Sequence, residues 1–209
     1  MSTEEQIRIV IGQPGADLSP VKRFWYDVYV TEMGRHVESA NHERRELDDP
    51  RAASGILIVA QADDRVVGTL ICTASTSGNL GEYESFYEMS ALGAIHPTST
   101  AIVTKLMVTP EYRHTSLSVR IACELYRLAV PMGLHHAIID CNDHLLPMFQ
   151  RLGFTQWREP AQHPDYGRVN ILKLDCLDMA HLERVQSPLV PIARRTIPKL
   201  LSTQQGAYA

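Results

Sequence analysis

The chain has 209 residues, of which 44% are hydrophobic and 21% charged, and a formal net charge of −4. This composition is typical of a globular protein, and the length suffices for one domain with a sizeable core. The acidic balance disfavours a dedicated nucleic-acid binder, whose surface would be basic. Four cysteines without a CxxC pair favour a reduced, cytoplasmic protein. The N-terminus is acidic, unlike a signal peptide, and no apolar run reaches the roughly 20 residues of a membrane span.

The N-terminal half is predicted to contain a strand, a helix and a β-hairpin. Alternating residues favour the strand, and apolar residues at helical spacing behind Pro20 favour the helix. The turn sequence Ala62-Asp63-Asp64-Arg65 between two apolar runs is a hairpin signature. The predicted elements are a strand at Ile7–Ile11, a helix at Val21–Met33, an irregular or short helical segment at His36–Arg51, and strands at Gly55–Gln61 and Val66–Thr73.

The C-terminal half begins with a long insert, 74–99, that is rich in Ser, Gly and Glu. The elements predicted in and after it are a short helix near Tyr83–Ala91, strands at Thr100–Val108, His136–Asp140, Thr155–Arg158 and Val169–Leu174, and helices at Ser116–Val130 and His144–Leu152. A helix between two strands implies one parallel crossover. We therefore expect an α/β fold, a mixed and mostly antiparallel sheet flanked by helices. Residues 1–178 would form the domain, and 179–209 a tail that packs on it or is partly flexible.

The segment most informative about chemistry is the turn that joins the strand ending at Val108 to the next helix. The first turn of a helix leaves backbone N–H groups unpaired, and such groups hold phosphates with help from the helix dipole. Arg113 can add a charge-assisted contact. Such units are common, so Arg113 can equally be a solvated loop residue and Ser116 an ordinary helix cap.

The whole stretch from Lys105 to Phe154 resembles the acetyl-coenzyme A binding core of the GNAT superfamily. The family's Arg/Gln-x-x-Gly-x-Gly/Ala loop cradles a pyrophosphate, and its positions match Arg113, Ser116 and Ser118. An Asn that opens a helix and a closing Gly-Phe match Asn142 and Gly153-Phe154. Both glycines of the loop are serines here. Another departure is Phe149, which stands where the family often has the tyrosine that protonates the leaving thiolate.

A narrower resemblance, to the bacterial N-acyl amino acid synthases and their acyl-homoserine-lactone synthase relatives, lies outside this core. It rests on Trp25–His36, His42–Pro50 and Asp178–Leu189. Members of this group take acyl chains from acyl carrier protein. The family has an arginine at the position of Ile71 in this sequence. Such an arginine could pair with the carboxylate of an acceptor such as a free amino acid, so its absence puts this kind of acceptor in question.

These resemblances imply an N-acyltransferase that moves an acyl group from a pantetheine thioester to an amine of a small molecule. The donor would be a co-substrate, either acyl-phosphopantetheine or acyl-coenzyme A, with no cofactor bound permanently. We favour acyl carrier protein as the partner, because replacing two glycines by serines weakens the binding of a single phosphate less than the binding of a pyrophosphate. The alternatives are an acetyl-coenzyme A-dependent GNAT enzyme and a non-catalytic module that binds a carrier protein or ligand.

The predicted site residues fall into three groups. Donor-binding residues are Lys105, Leu106, Met107, Val108, Arg113, His114, Thr115, Ser116, Leu117, Ser118, Asn142 and Phe149. Trp25, Tyr29, Asp140 and Cys141 are predicted to line the acceptor or acyl pocket. Glu32, Glu43 and Asp49 are candidates for deprotonating the amine, although charged runs are usually solvated faces. The basic tail residues Arg194, Arg195 and Lys199 could meet a carrier protein. We expect no metal site, because His135, His136, Cys141 and His144 lack a familiar ligand spacing.

Overall fold

The computed structural model describes residues 7–13, 15–78, 80–164 and 167–206. Its strands are β1 (Ile7–Ile11), β2 (Ala40–Asn41), β3 (Glu46–Leu47), β4 (Ile56–Ala62), β5 (Arg65–Ala74), β6 (Thr100–Val108), β7 (His136–Cys141), β8 (Thr155–His163) and β9 (Gly167–Asp175). Its α-helices are α1 (Ser19–Tyr26), α2 (Arg51–Ser54), α3 (Tyr83–Phe86), α4 (Leu117–Ala129), α5 (Leu146–Leu152), α6 (Met179–Arg184) and α7 (Val190–Gly206). A π-helical turn, Asp27–Glu32, continues α1.

Seven strands form a mixed sheet in the order β1-β4-β5-β6-β7-β9-β8. β6 and β7 are its parallel pair, and α4 is the crossover between them, which confirms the predicted fold class. The parallel register joins Thr100–Ile102 to His136–Ile138 and covers only the first part of β6. The predicted hairpin is also confirmed, since β4 and β5 pair up to Ala62 and Arg65. Asp63, in the turn, has φ 54°, the left-handed conformation that such a short turn requires.

The chain forms two compact units. The first contains the residues up to Cys72 together with Thr104–Ala122. Its core includes the inner face of α1, where Val21, Phe24 and Trp25 are buried. These residues are three and four positions apart, so they lie on one side of the helix. Trp25 has no exposed surface. The helical spacing that predicted α1 therefore reflects burial of this face.

The second unit contains Thr73–Val103 and the residues from Cys123 onward. The long insert contributes to its core as the short helix α3 and a 3₁₀ segment, Met89–Ile95. The buried residues of that cluster are Leu80, Tyr83, Tyr87, Met89, Ile102, Ile138 and Ile171. The C-terminal residues also pack in this unit, where Ala193 of α7 is fully buried and Ser187 donates a hydrogen bond to the Leu152 carbonyl at 2.7 Å.

Two sequence-based expectations about local structure need correction. The polar segment His36–Arg51 was expected to be irregular or helical, but it contains the short antiparallel ladder of β2 and β3. The strand expected at Thr155–Arg158 continues to His163. Register shifts along β8 explain the miss, because bulges break the alternation by which a strand is recognised. Nothing in the described part of the chain is a helix with the length and apolarity to cross a membrane.

Candidate active site

A buried ionic cluster lies beside β6 in the first unit. Lys105 Nζ is 3.6 Å from Asp49 Oδ2, and the two side chains are only 8% and 1% exposed. Arg51 donates two hydrogen bonds to the same carboxylate, from Nε and from a terminal nitrogen, each at 2.9 Å. The Lys105 ammonium also faces the ring of Tyr29, 4.4 Å from its centroid. A buried carboxylate needs partners of this kind, since removal from water is costly for an unpaired charge.

The two cations determine the protonation of Asp49. Burial alone would raise the pKa of this carboxyl, but the hydrogen bonds from Arg51 and the charge of Lys105 outweigh it and lower the pKa. A carboxylate with a lowered pKa is a weak proton acceptor. Asp49, which we predicted as a candidate base, is therefore better suited to holding Lys105 in place.

Thr69 connects this cluster to α1. The Trp25 indole N–H donates to Thr69 Oγ1 at 2.9 Å, and the Thr69 hydroxyl donates to the Lys105 carbonyl at 3.0 Å. Lys105 itself has φ 56°, in the left-handed region that favours glycine. The side chain and the carbonyl of Lys105 are thus both held by buried partners.

A second ion pair joins Arg113 of the predicted phosphate loop to Glu32 of the π-helical turn. Two guanidinium nitrogens of Arg113 lie 2.5 and 2.6 Å from the two carboxylate oxygens of Glu32. Arg113 Nε also donates to the Val108 carbonyl at 3.3 Å. The hydrogen bond that Arg113 donates to Glu32 raises the pKa of Arg113 further, so the guanidinium remains charged. Arg113 and Glu32, predicted for different roles, are thus partners, and both side chains are about one-third exposed, 36% and 33%.

The helix that follows the loop begins as the sequence indicates. The Ser116 carbonyl accepts the first helical hydrogen bond, from Arg120 N–H at 2.9 Å, and Thr115 Oγ1 accepts from Leu117 N–H at 3.2 Å. Leu117 is fully buried, whereas Ser116 and His114 are exposed and Ser118 is half-buried. Met107 and Val108 are buried at the end of β6, and Leu106 is half-buried. Glu43 is exposed in the turn between β2 and β3.

The remaining predicted site residues belong to the second unit. The Tyr87 hydroxyl donates to Asp140 Oδ1 at 2.5 Å. Burial, with the charges of Asp140 and Asp143, raises the pKa of the Cys141 thiol to about 12, so Cys141 is protonated at neutral pH. Asn142 Nδ2 donates to the Arg168 carbonyl at 3.2 Å.

Phe149 and the histidine-rich segment also lie in the second unit. The Phe149 ring is 6% exposed and meets Phe154 edge to face, with centroids 5.5 Å apart. His136, at the start of β7, has its Nδ1 4.0 Å from an Asp175 oxygen. Across the described ranges, no three His, Cys, Asp or Glu side chains come together as a metal site would require.

The sequence of this chain matches a known protein family. The sequence profile of the family described as N-acyl amino acid synthase FeeM matches residues 20–175, which is most of the chain. The chain belongs to the FeeM family. It is therefore an acyltransferase of the N-acyl amino acid synthase type. No curated protein matches it by sequence.

Solved structures share the fold of this FeeM-family chain. The CoA-dependent acyl-homoserine lactone synthase BjaI, with SAM and isopentyl-CoA, is 19% identical over 85% of this chain and 90% of its own, with a TM-score of 0.64. TofI, in a ternary complex with an inhibitor and MTA, is 16% identical over 87% and 98%, with a TM-score of 0.66. FeeM, from uncultured soil microbes, is 14% identical over 88% and 98%, with a TM-score of 0.64.

Sequence reasoning overlooked Thr69 and Arg51 in this FeeM-family chain. Thr69 is the polar residue in the otherwise apolar run Val66–Cys72. Most buried hydroxyls have a hydrogen-bond partner, so the position of Thr69 in this run was a usable signal. Arg51 follows Asp49-Pro50 in a charged segment that also fits a solvated face, and its contact with Asp49 depends on the local turn.

Proposed function

We propose that this FeeM-family acyltransferase takes its acyl group from the phosphopantetheine thioester of an acyl carrier protein and transfers it to the amine of a small molecule. The observation that carries the proposal is the state of the phosphate loop. Arg113, the cation of that loop, is engaged by the Glu32 carboxylate, and the two positions where a GNAT loop has glycine are Ser116 and Ser118.

The two donors differ in how much phosphate the loop must hold. Coenzyme A carries a pyrophosphate and a 3′-phosphate, whereas a carrier protein presents one phosphodiester. A side chain at Ser116 or Ser118 adds a Cβ where a pyrophosphate would lie against the backbone. Glu32 in turn offsets the charge with which Arg113 would attract additional phosphates. Both features cost coenzyme A more than they cost a single phosphodiester.

The transfer itself follows the chemistry of thioesters. The neutral amine nitrogen attacks the thioester carbonyl carbon, a C–N bond forms, the C–S bond breaks, and the thiolate leaves with the electron pair. The backbone N–H groups of Met107 and Val108 are proposed to stabilise the oxyanion. Phe149 has no proton to give, and a thiol with a pKa of about 8.5 leaves as the thiolate without a general acid.

The amine must lose a proton before or during the attack. Of the three candidate carboxylates, Glu32 pairs with Arg113 and Asp49 pairs with Lys105 and Arg51. We therefore assign proton removal to the exposed Glu43 or to water. The acceptor and acyl-chain roles of Trp25, Tyr29, Asp140 and Cys141 stay predictions.

A second candidate donor is acyl-coenzyme A, because BjaI is described as CoA-dependent. The test measures kcat/KM with one acyl group presented on a carrier protein and on coenzyme A. The unmodified protein should prefer the carrier protein, and the double variant S116G/S118G should narrow the gap by improving coenzyme A use. S116A/S118A is the matched control, since it removes the hydroxyls but keeps each Cβ.

Salt and a charge-reversed variant test the contact with the carrier protein. Arg194 of the predicted basic tail pairs with Glu183 at 2.8 Å, while Arg195 is exposed on α7. R195E should lower carrier-protein use without changing coenzyme A use, and rising salt should lower carrier-protein use more than coenzyme A use. Equal or better use of coenzyme A by the unmodified protein would refute the carrier-protein proposal and leave the acyl-coenzyme A enzyme.

A further inference from the structure

Thr69 occupies a position that ordinary strand packing does not explain. It lies on β5 with no exposed surface, and its hydroxyl uses both of its hydrogen-bonding functions. The oxygen accepts from Trp25 Nε1 and the proton is donated to the Lys105 carbonyl. Valine has nearly the same shape and would pack in a buried strand without any hydrogen bond to satisfy. The two hydrogen bonds of Thr69, which the equally buried Thr73 lacks in the described part of the chain, therefore indicate a role for its hydroxyl.

The carbonyl that it holds belongs to the left-handed residue of β6. A lysine at φ 56° persists only where surrounding contacts fix it. Contacts at both its carbonyl and its ammonium do so for Lys105. Its carbonyl accepts from Thr69, and its ammonium meets Asp49 and the face of Tyr29.

This left-handed residue also determines the direction of the backbone that follows it. A residue in this conformation within a strand re-aims the adjoining peptide groups, as at a β-bulge. The peptide groups that follow are those of Leu106, Met107 and Val108. Two of these groups, the N–H groups of Met107 and Val108, are the ones proposed above to stabilise the oxyanion.

We propose that Thr69 is a positioning residue for acyl transfer. By holding the Lys105 carbonyl, it fixes the direction of the Met107 and Val108 N–H groups toward the thioester oxygen without touching the substrate. Because this role is specific to the step in which charge develops on that oxygen, it predicts a loss in kcat rather than in donor KM. The inference rests on the proposed function insofar as it assigns the thioester to this strand.

The kinetic test uses two substitutions of Thr69 and a control on the same strand. T69V keeps the shape and removes the hydroxyl, while T69S keeps the hydroxyl. T73V is the matched control, because Thr73 is equally buried and its hydroxyl has no hydrogen-bond partner in the described part of the chain. We expect T69V to lower kcat by about tenfold to a hundredfold, the effect of misplacing a reacting group by about an ångström. T69S and T73V should stay within about threefold of the unmodified protein.

A spectroscopic test reports the same hydrogen bonds without turnover. The chain has two tryptophans, so a uniformly ¹⁵N-labelled protein gives two indole cross-peaks, which W157F assigns, as well as the backbone amide cross-peaks. In T69V the Trp25 indole proton should move upfield because it loses its acceptor. The backbone amides of Leu106 and Met107 should also shift, whereas T69S and T73V should leave them in place.

The two tests separate failure of this inference from failure of the proposed function. Equal kcat values for T69V and T73V, or equal losses in T69V and T69S, would overturn the positioning role. Unmoved Leu106 and Met107 amides in T69V would overturn it as well, even in a protein with no turnover. If the unmodified protein turned over neither carrier-bound nor coenzyme A-bound acyl groups, the proposed function would fail, while the amide shifts would still decide whether Thr69 fixes the backbone after Lys105.

Discussion

Replacing Asp49 with asparagine removes the anion of the buried cluster while keeping its size. Asp49 is 1% exposed at its side chain and neutralises Lys105 and Arg51, which are 8% and 14% exposed. Removing one partner of a buried ion pair typically costs about 3–5 kcal/mol, because the remaining charge stays buried without compensation. We expect D49N to lower the free energy of unfolding at pH 7 by that amount. D49N/K105M should recover part of the loss, because the unpaired ammonium is then absent.

The pH dependence of this difference tests the ionic origin of the effect. Because the folded-state pKa of Asp49 is lowered, its stabilisation is fully present above the unfolded pKa of about 3.9 and is lost as pH falls through the folded pKa. Urea unfolding followed by circular dichroism should therefore show the two proteins differing at pH 7 and converging below about pH 4. A loss under about 1 kcal/mol at pH 7, or one that does not change with pH, would refute the reasoning.

Three further predictions concern Arg113 with its partner Glu32, the ring of Phe149, and the close packing at Gly68. R113A should raise the donor KM roughly tenfold to a hundredfold, the effect of losing a charge-assisted contact. E32Q removes the carboxylate partner of Arg113 and should not raise the donor KM. Unchanged donor kinetics in a folded R113A protein would show that Arg113 does not bind the donor. F149Y should fold normally and match or exceed the unmodified turnover, since the new hydroxyl can protonate the thiolate; a loss above about tenfold would mean that the ring fills a pocket of fixed shape. G68A places a Cβ 2.9 Å from Ile121 Cδ1 and 3.2 Å from the Met107 carbonyl. Urea unfolding should therefore show a free energy of unfolding that is lower by about 1–3 kcal/mol. An unchanged free energy of unfolding would contradict the close approach.

The order of strands and helices was readable from the sequence because each element leaves a local pattern. The spacing of Val21, Phe24 and Trp25 indicated α1, and Asp63-Asp64 between two apolar runs indicated the hairpin. The parallel crossover followed from a helix between two strands. The alternation of apolar and polar residues did not indicate the full length of β8, because register shifts interrupt it there. It did not indicate β2 and β3 either, because a two-residue strand is too short to show alternation. The resemblance of Lys105–Phe154 to the acetyl-coenzyme A binding core of the GNAT superfamily indicated an acyltransferase from the sequence alone.

The contacts within the site were decided by tertiary structure alone. Glu32 and Arg113 are 81 residues apart, and Thr69 and Lys105 are 36 apart. No local pattern specifies such pairs, because the distance along the chain is unrelated to which side chains the sheet brings together. Their consequences are equally non-local. Asp49 read as a candidate base in the sequence, but its lowered pKa depends on Lys105, and that pairing exists only once β6 lies beside the segment that carries Asp49.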